Sequence, residues 1–237
     1  MRKALLAGVL ACSMGCASSR HVIYEPGIGR KINTAWVLND ERAGYVRRFA
    51  QTVYVTRHYW DNYEAQMRKV KTISLYDDWI HGWYGGVVYG SKRLEHMGIH
   101  DLRPHVLVHE LCHVWHSALP PAKRKEFERK WSEAAGFRYG EYEENSREIV
   151  ENGLVALESS ENMMQDVSTV CELVIILQMP NIQVPGVSRP GRSGSEEYNV
   201  LFRRDDEKVR EKIGLLGNYK FISSEERDFA LKELDWK

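Results

Sequence analysis

His105-Val-Leu-Val-His109-Glu110-Leu-Cys-His113-Val-Trp-His116 is the stretch that decides how the chain is read. On a helix, His109 and His113 stand at i and i+4, so both imidazoles leave one face a turn apart. That spacing lets two ring nitrogens meet one tetrahedral Zn²⁺ at about 2.0–2.1 Å. Glu110 is rotated off the pair, close enough to work as a proton acceptor without being a ligand. Val106, Leu107, Val108, Leu111, Val114 and Trp115 surround these polar groups with apolar surface. Such a helix belongs in a core, where histidines beside a glutamate are costly unless paired or bound to a metal. His105 and His116 fall near the same face and are expected to be solvated or to support the pair. Ser117 to Pro121 ends the helix, which leaves no room for a third histidine further along.

Working outward, the N-terminus carries Arg2-Lys3, an apolar run from Ala4 to Ala11, and then Ser13-Met14-Gly15-Cys16-Ala17-Ser18-Ser19. The charged start and short apolar core predict an export signal, too short to span a bilayer as a helix. The ending resembles a bacterial lipoprotein signal, which implies cleavage before Cys16 and lipidation of that cysteine; Cys12 is the rival position. The reading is therefore a signal over 1–15, a lipid-anchored tether over 16–38 and one folded domain over 39–237. It places the protein at the cell envelope, held to the membrane by lipid. Cys112 and Cys171 then remain, either to pair in an oxidising compartment or to serve as small buried hydrophobes.

The chain of 237 residues carries 33 basic and 33 acidic side chains. That length suffices for a substantial core, and the balanced charge argues against nucleic acid as a partner. A helix is predicted from about Asn39 through Trp60, with Asp40 as its cap. Val70 to Tyr76 alternates like a half-buried strand. Gly82 to Gly90 reads as a turn and a second strand whose glycines suggest close backbone approach or a sheet edge. An edge strand beside the histidine helix can pair with an extended peptide. A basic helix follows from Ala122 to about Ala135, with Phe127 and Trp131 turned inward. After it, Tyr139 or Tyr142 can donate a hydrogen bond to an oxyanion or simply pack.

An open catalytic zinc site needs a third protein ligand. Glu144, Glu148 and Glu151 share a helical face that solvation alone explains. In the helical segment Ser160 to Leu177, Gln165, Ser168, Thr169 and Glu172 form the polar stripe, while Asp166 projects among Val170, Leu173 and Leu177. An acid on an apolar flank requires a partner: a metal or a metal-bound histidine, or equally a local arginine or a backbone group that it caps. As a metal ligand Asp166 is the expected third, with Glu172 and then Glu148 as alternatives. Pro180 to Tyr198 is a loop rich in Pro, Gly and Ser. Helices close the chain near Glu207–Leu216 and Ser224–Leu234, the second opened by the capping box Ser223-x-x-Glu226.

Several motifs together resemble bacterial zincin-type, gluzincin-like metallopeptidases. They are His-Glu-Leu-x-His-Val-Trp at 109–115, Lys-Trp-x-x-Ala-x-Gly at 130–136, Asn152-Gly-Leu-Val, Asn162-x-x-Gln-Asp166-Val and Tyr219-x-Phe-Ile222. The resemblance implies an α+β fold: a small twisted sheet whose edge strand packs on the motif helix, and a mainly helical C-terminal half. It also implies one Zn²⁺ per chain on His109 and His113, Glu110 as general base, Tyr139 as oxyanion donor, and hydrolysis of peptide or amide bonds in a peptide or protein substrate. The family's Glu-Asp-x-Ala helix has its counterpart here in Gln165-Asp166-Val-Ser168, an amide where the glutamate would stand. That departure supports an alternative from another class: an inactive scaffold that binds an envelope partner along the aromatic edge from Trp79 to Tyr89.

Overall fold

The computed structural model describes residues 22–25, 28, 30–37, 40–76, 86–90, 94–136, 139, 153–155, 159, 161–179, 182–183, 196–197 and 206–235. Within them the fold is α+β: a small mixed sheet followed by a mainly helical half. Strands β1 (Val22–Glu25), β2 (Arg30–Trp36), β3 (Thr72–Tyr76), β4 (Gly86–Tyr89) and β5 (His96–Ile99) pair in the order β1-β2-β3-β5-β4. The central β2, β3 and β5 are parallel, and the outer β1 and β4 run antiparallel to their neighbours. Strand β4 thus forms one edge. A second pairing joins β6 (Ile182–Gln183) to β7 (Glu196–Glu197).

Helices α1 (Arg42–Tyr59) and α2 (Tyr63–Met67) lie between β2 and β3 in sequence. Helix α3 (Pro104–Ala118) follows β5 and packs on β4, β5, α1 and α2. Pro104 opens it at a position where a missing N–H costs nothing. Val106, Leu107, Val108, Leu111, Cys112 and Val114 are buried on several faces, as expected of a helix lodged between layers. Helix α4 (Pro121–Ala135) ends at Gly136, whose φ of 68° is the left-handed cap that glycine adopts without strain. Phe127 and Trp131 are its inward residues, both fully buried.

Helix α5 (Met163–Gln178) lies against α3 and carries twelve buried residues in sequence from Asp166 to Leu177. Its cap is Asn162, whose side-chain oxygen accepts from the backbone N–H groups of Met164 and Gln165. Helices α6 (Glu207–Asn218) and α7 (Ser224–Asp235) pack on its other side. Asp206 caps α6. The Ser223/Glu226 capping box forms in both directions, at 3.1 Å and 2.6 Å. No helix among the described residues is long and apolar enough to cross a membrane.

Two elements depart from the sequence reading. Residues 22–36 fall within the stretch expected to be a tether, yet they supply β1 and β2, with Ile32 fully buried. Strand β2 pairs in parallel with β3, a partner some forty residues on in sequence, so no local pattern announces it. Strand β5, short and holding Gly98, also escaped notice. Gly98 has a packing reason: a Cβ there would meet the Tyr76 ring at 3.0 Å and Val87 at 3.1 Å. The signal segment, Cys12 and Cys16 lie outside the described residues.

The helical half is clamped by one buried ion pair. Lys212 Nζ on α6 lies 2.8 Å from Asp166 Oδ2 on α5, and both side chains have no solvent exposure. Lys212 also donates to the Gly153 carbonyl at 2.8 Å. Asp166 Oδ2 further accepts from Trp131 Nε1 at 2.9 Å and from the Tyr139 hydroxyl at 2.7 Å. Burial pushes the Lys212 ammonium down, and Asp166 opposes that shift. Removing one member leaves a buried charge uncompensated, so Lys212→Met is expected to cost about 3–5 kcal/mol in urea unfolding. The Asp166→Asn/Lys212→Met pair should cost well under the sum of the two single changes; simple additivity would show that the pair is not coupled.

Candidate functional site

The site lies at the seam of α3 and α5, below edge strand β4. Helix α3 presents His109 and His113 on consecutive turns, with ring centroids 4.7 Å apart and planes at 67°. Helix α5 presents Gln165 and Glu172 to the same place, seven residues and two turns apart on one face. Gln165 Oε1 is 2.6 Å from His109 Nε2. Glu172 Oε1 is 3.2 Å from His109 Nδ1. Both nitrogens of one imidazole therefore face oxygen atoms from α5.

Glu110 points the other way around α3, toward β4. It is 4 % exposed and makes no hydrogen bond among the described residues. Burial pushes its carboxyl up to about 7, with His109 pulling it down and Glu172 pushing it further up. Strand β4 makes room for it at Gly86, where a Cβ would stand 2.8 Å from Glu110 Cγ and Oε1. Of the glycines read from sequence as a sign of close approach or a sheet edge, Gly86 makes such an approach here. His113 is pushed well below the usual imidazole range by burial, and then by the charges of His109 and His116. It is a neutral imidazole with lone-pair character, the form in which histidine binds metal.

Asp166, expected as third ligand, is placed elsewhere. It follows Gln165 by one residue, roughly 100° around the helix, and faces α4 and α6, where Lys212, Trp131 and Tyr139 take up its carboxylate. The need for a partner was legible, but the partner is a lysine. Tyr139, expected as oxyanion donor, spends its hydroxyl on Asp166; burial and that carboxylate push its phenol upward. Glu172 is at the site, on the Nδ1 side of His109. Glu144, Glu148 and Tyr142, like Trp79 to Gly85, lie outside the described residues. Ser168, fully buried on the same stripe of α5 as Gln165 and Glu172, has no hydrogen-bond partner for its hydroxyl among the described residues.

Cys112, between the two histidines, and Cys171 of α5 are buried free thiols within hydrogen-bonding reach of each other. Burial raises both, which suits small core residues rather than ligands. Among the described residues no group of three His, Cys, Asp or Glu side chains is assembled to hold a metal. What stands beside the two histidines is the Gln165 amide. Comparison with protein-family models, curated proteins and solved structures finds no match to the chain.

His116, at the far end of α3, turns its ring toward Phe127, with centroids 5.7 Å apart. Burial, followed by Arg124, pulls it down from 6.5 to about 4. Glu128 Oε1 stands 3.3 Å from Nε2 without completing a hydrogen bond. Between pH 6.5 and 4 the unfolded chain takes up a proton that the folded His116 refuses. Its contribution is therefore complete above pH 6.5 and falls as pH drops, by up to about 3 kcal/mol. Urea midpoints measured across that window should fall less steeply for His116→Phe than for the parent. Equal slopes would mean that other groups carry the acid sensitivity.

Proposed function

We propose that the protein is a zinc-dependent hydrolase of peptide or amide bonds, zincin-like in architecture and held at the cell envelope by a lipid on Cys16. The observation that carries this reading is the set of three side chains that α3 presents within two turns. His109 and His113 stand a turn apart, and the next residue after His109 is a buried glutamate with no hydrogen bond among the described residues. A carboxyl in that condition is destabilised unless the site gives it something to act on.

The residues fit a zinc ion. Two imidazoles at helical spacing offer nitrogen donors of the type zinc prefers. Glu172 at His109 Nδ1 supplies the carboxylate that commonly orients a metal-binding histidine and fixes its tautomer. Zinc bound there would supply Lewis acidity, polarising the scissile carbonyl and making water a nucleophile near neutral pH. The protein's own part is carried by Glu110, which takes a proton from the attacking water at its carboxylate and passes it to the leaving amine. A carboxyl tuned close to neutral pH suits both halves of that transfer.

Strand β4 supports a peptide as substrate. It is the edge of the sheet, antiparallel to β5, and its outer side has no strand partner among the described residues. An extended chain can add there by backbone hydrogen bonds, and Gly86 would bring its carbonyl close to Glu110.

The deciding measurement is the zinc content of the soluble protein beginning at Ala17 at equilibrium with added zinc, by dialysis and elemental analysis without chelator. About one zinc per chain is expected, together with peptide hydrolysis against a mixed library. Glu110→Gln should keep the zinc and lose at least about 100-fold in turnover. A folded protein that takes up no zinc when zinc is supplied would overturn this reading and favour the scaffold that binds an envelope partner.

A further inference from the structure

We infer that Gln165 is the third protein ligand, through its amide oxygen, so that the site is a neutral His-His-Gln set that holds zinc weakly and exchangeably. This inference rests on the zinc reading above and concerns what completes the site.

Three observations carry it. Gln165 Oε1 approaches His109 Nε2 to 2.6 Å, and His113 stands beside His109 with ring centroids 4.7 Å apart, so Gln165 is the α5 group nearest the face that carries the pair. His109 faces acceptor oxygens at both nitrogens, Gln165 at Nε2 and Glu172 at Nδ1. A neutral imidazole has a single N–H. When the ring is neutral, one of these two oxygens faces a nitrogen lone pair, and a cation bound on the Nε2 side would relieve that contact. The competing carboxylates are committed elsewhere: Asp166 to Lys212, Trp131 and Tyr139, and Glu172 to the Nδ1 side of His109.

Helix geometry supports the assignment. Asn162 accepts from the Gln165 backbone N–H and so fixes the first turn of α5. The Asp166 clamp one residue later sets the rotation of that turn, and Gln165 is delivered to α3 with its amide held in place. Glu172 is then a positioning residue, acting on the metal through His109.

The consequence is a charge deficit. Two imidazoles and an amide return no negative charge to a divalent ion, whereas a carboxylate at the same position would return one. Affinity is set accordingly low, and occupancy of the site follows the free zinc around it.

The test is zinc affinity, measured by competition with a chromophoric chelator on the soluble protein beginning at Ala17. Cobalt(II) absorption in the visible provides a second readout of the ligand set. Gln165→Glu should tighten zinc by at least about tenfold and Gln165→Ala should weaken it about as much, with His113→Ala weaker still. The cobalt spectrum should change in both Gln165 variants. If Gln165→Glu fails to fold, the Gln165→Ala affinity and its cobalt spectrum decide alone. Unchanged affinity and spectra at residue 165, with His113→Ala still impaired, would place the third ligand elsewhere and overturn the inference. Zinc binding unaffected by His113→Ala would instead overturn the zinc site itself.

Discussion

The buried Asp166–Lys212 pair is the constraint on which the helical half depends. Two opposite charges with no solvent exposure are tolerated only when their remaining hydrogen-bonding capacity is also met. Here that takes α4 for Trp131, α6 for Lys212, and the segments holding Tyr139 and Gly153. None of these can shift without exposing a charge to apolar surroundings. The pair therefore fixes how α5 is rotated about its own axis. Because Gln165 precedes Asp166, the same rotation decides what α5 presents to α3. A bond that serves stability on one side of the helix sets the geometry of the site on the other.

What could be read from sequence follows from how local each feature is. The motif helix was legible because two histidines four residues apart define a chemical face on their own. The α5 stripe of Gln165, Ser168, Thr169 and Glu172 was legible for the same reason, and two of its members do meet His109. Asp166 showed that it needed a partner but not which one. Lys212 lies 46 positions away, on a helix rich in charged residues where a lysine ordinarily reads as solvated. Strand β2 was hidden in part by the same non-locality, whereas β1 pairs with it from a few residues away. Lys31-Ile-Asn-Thr-Ala-Trp36 has a modest apolar content, and its place inside the sheet is realised through parallel pairing with β3.

The glycine-rich stretch before α3 illustrates the middle case. Its glycines announced a close approach without saying to what. The structure supplies Glu110, whose side chain occupies the space a Cβ on Gly86 would take. Sequence periodicity can mark where backbone and side chain crowd together, but the identity of the crowding group depends on how β4 and α3 are stacked. That stacking is set by β5, which pairs with β4 and leads by a short turn into Pro104.

Asp166 and Glu110 are both buried acids, and the fold treats them oppositely. For Asp166 it recruits a lysine, an indole and a phenol from three parts of the chain. For Glu110, one helix away, it provides burial and a glycine to lie against, but no donor among the described residues. A sequence able to assemble the first network is not short of ways to satisfy a carboxylate. A buried carboxyl with no donor among the described residues has a cost in stability, and such positions concentrate where a protein needs a reactive group. The contrast separates the two acids better than burial or sequence position does: Asp166 holds the helices together, and Glu110 is the one the proposed hydrolysis would use.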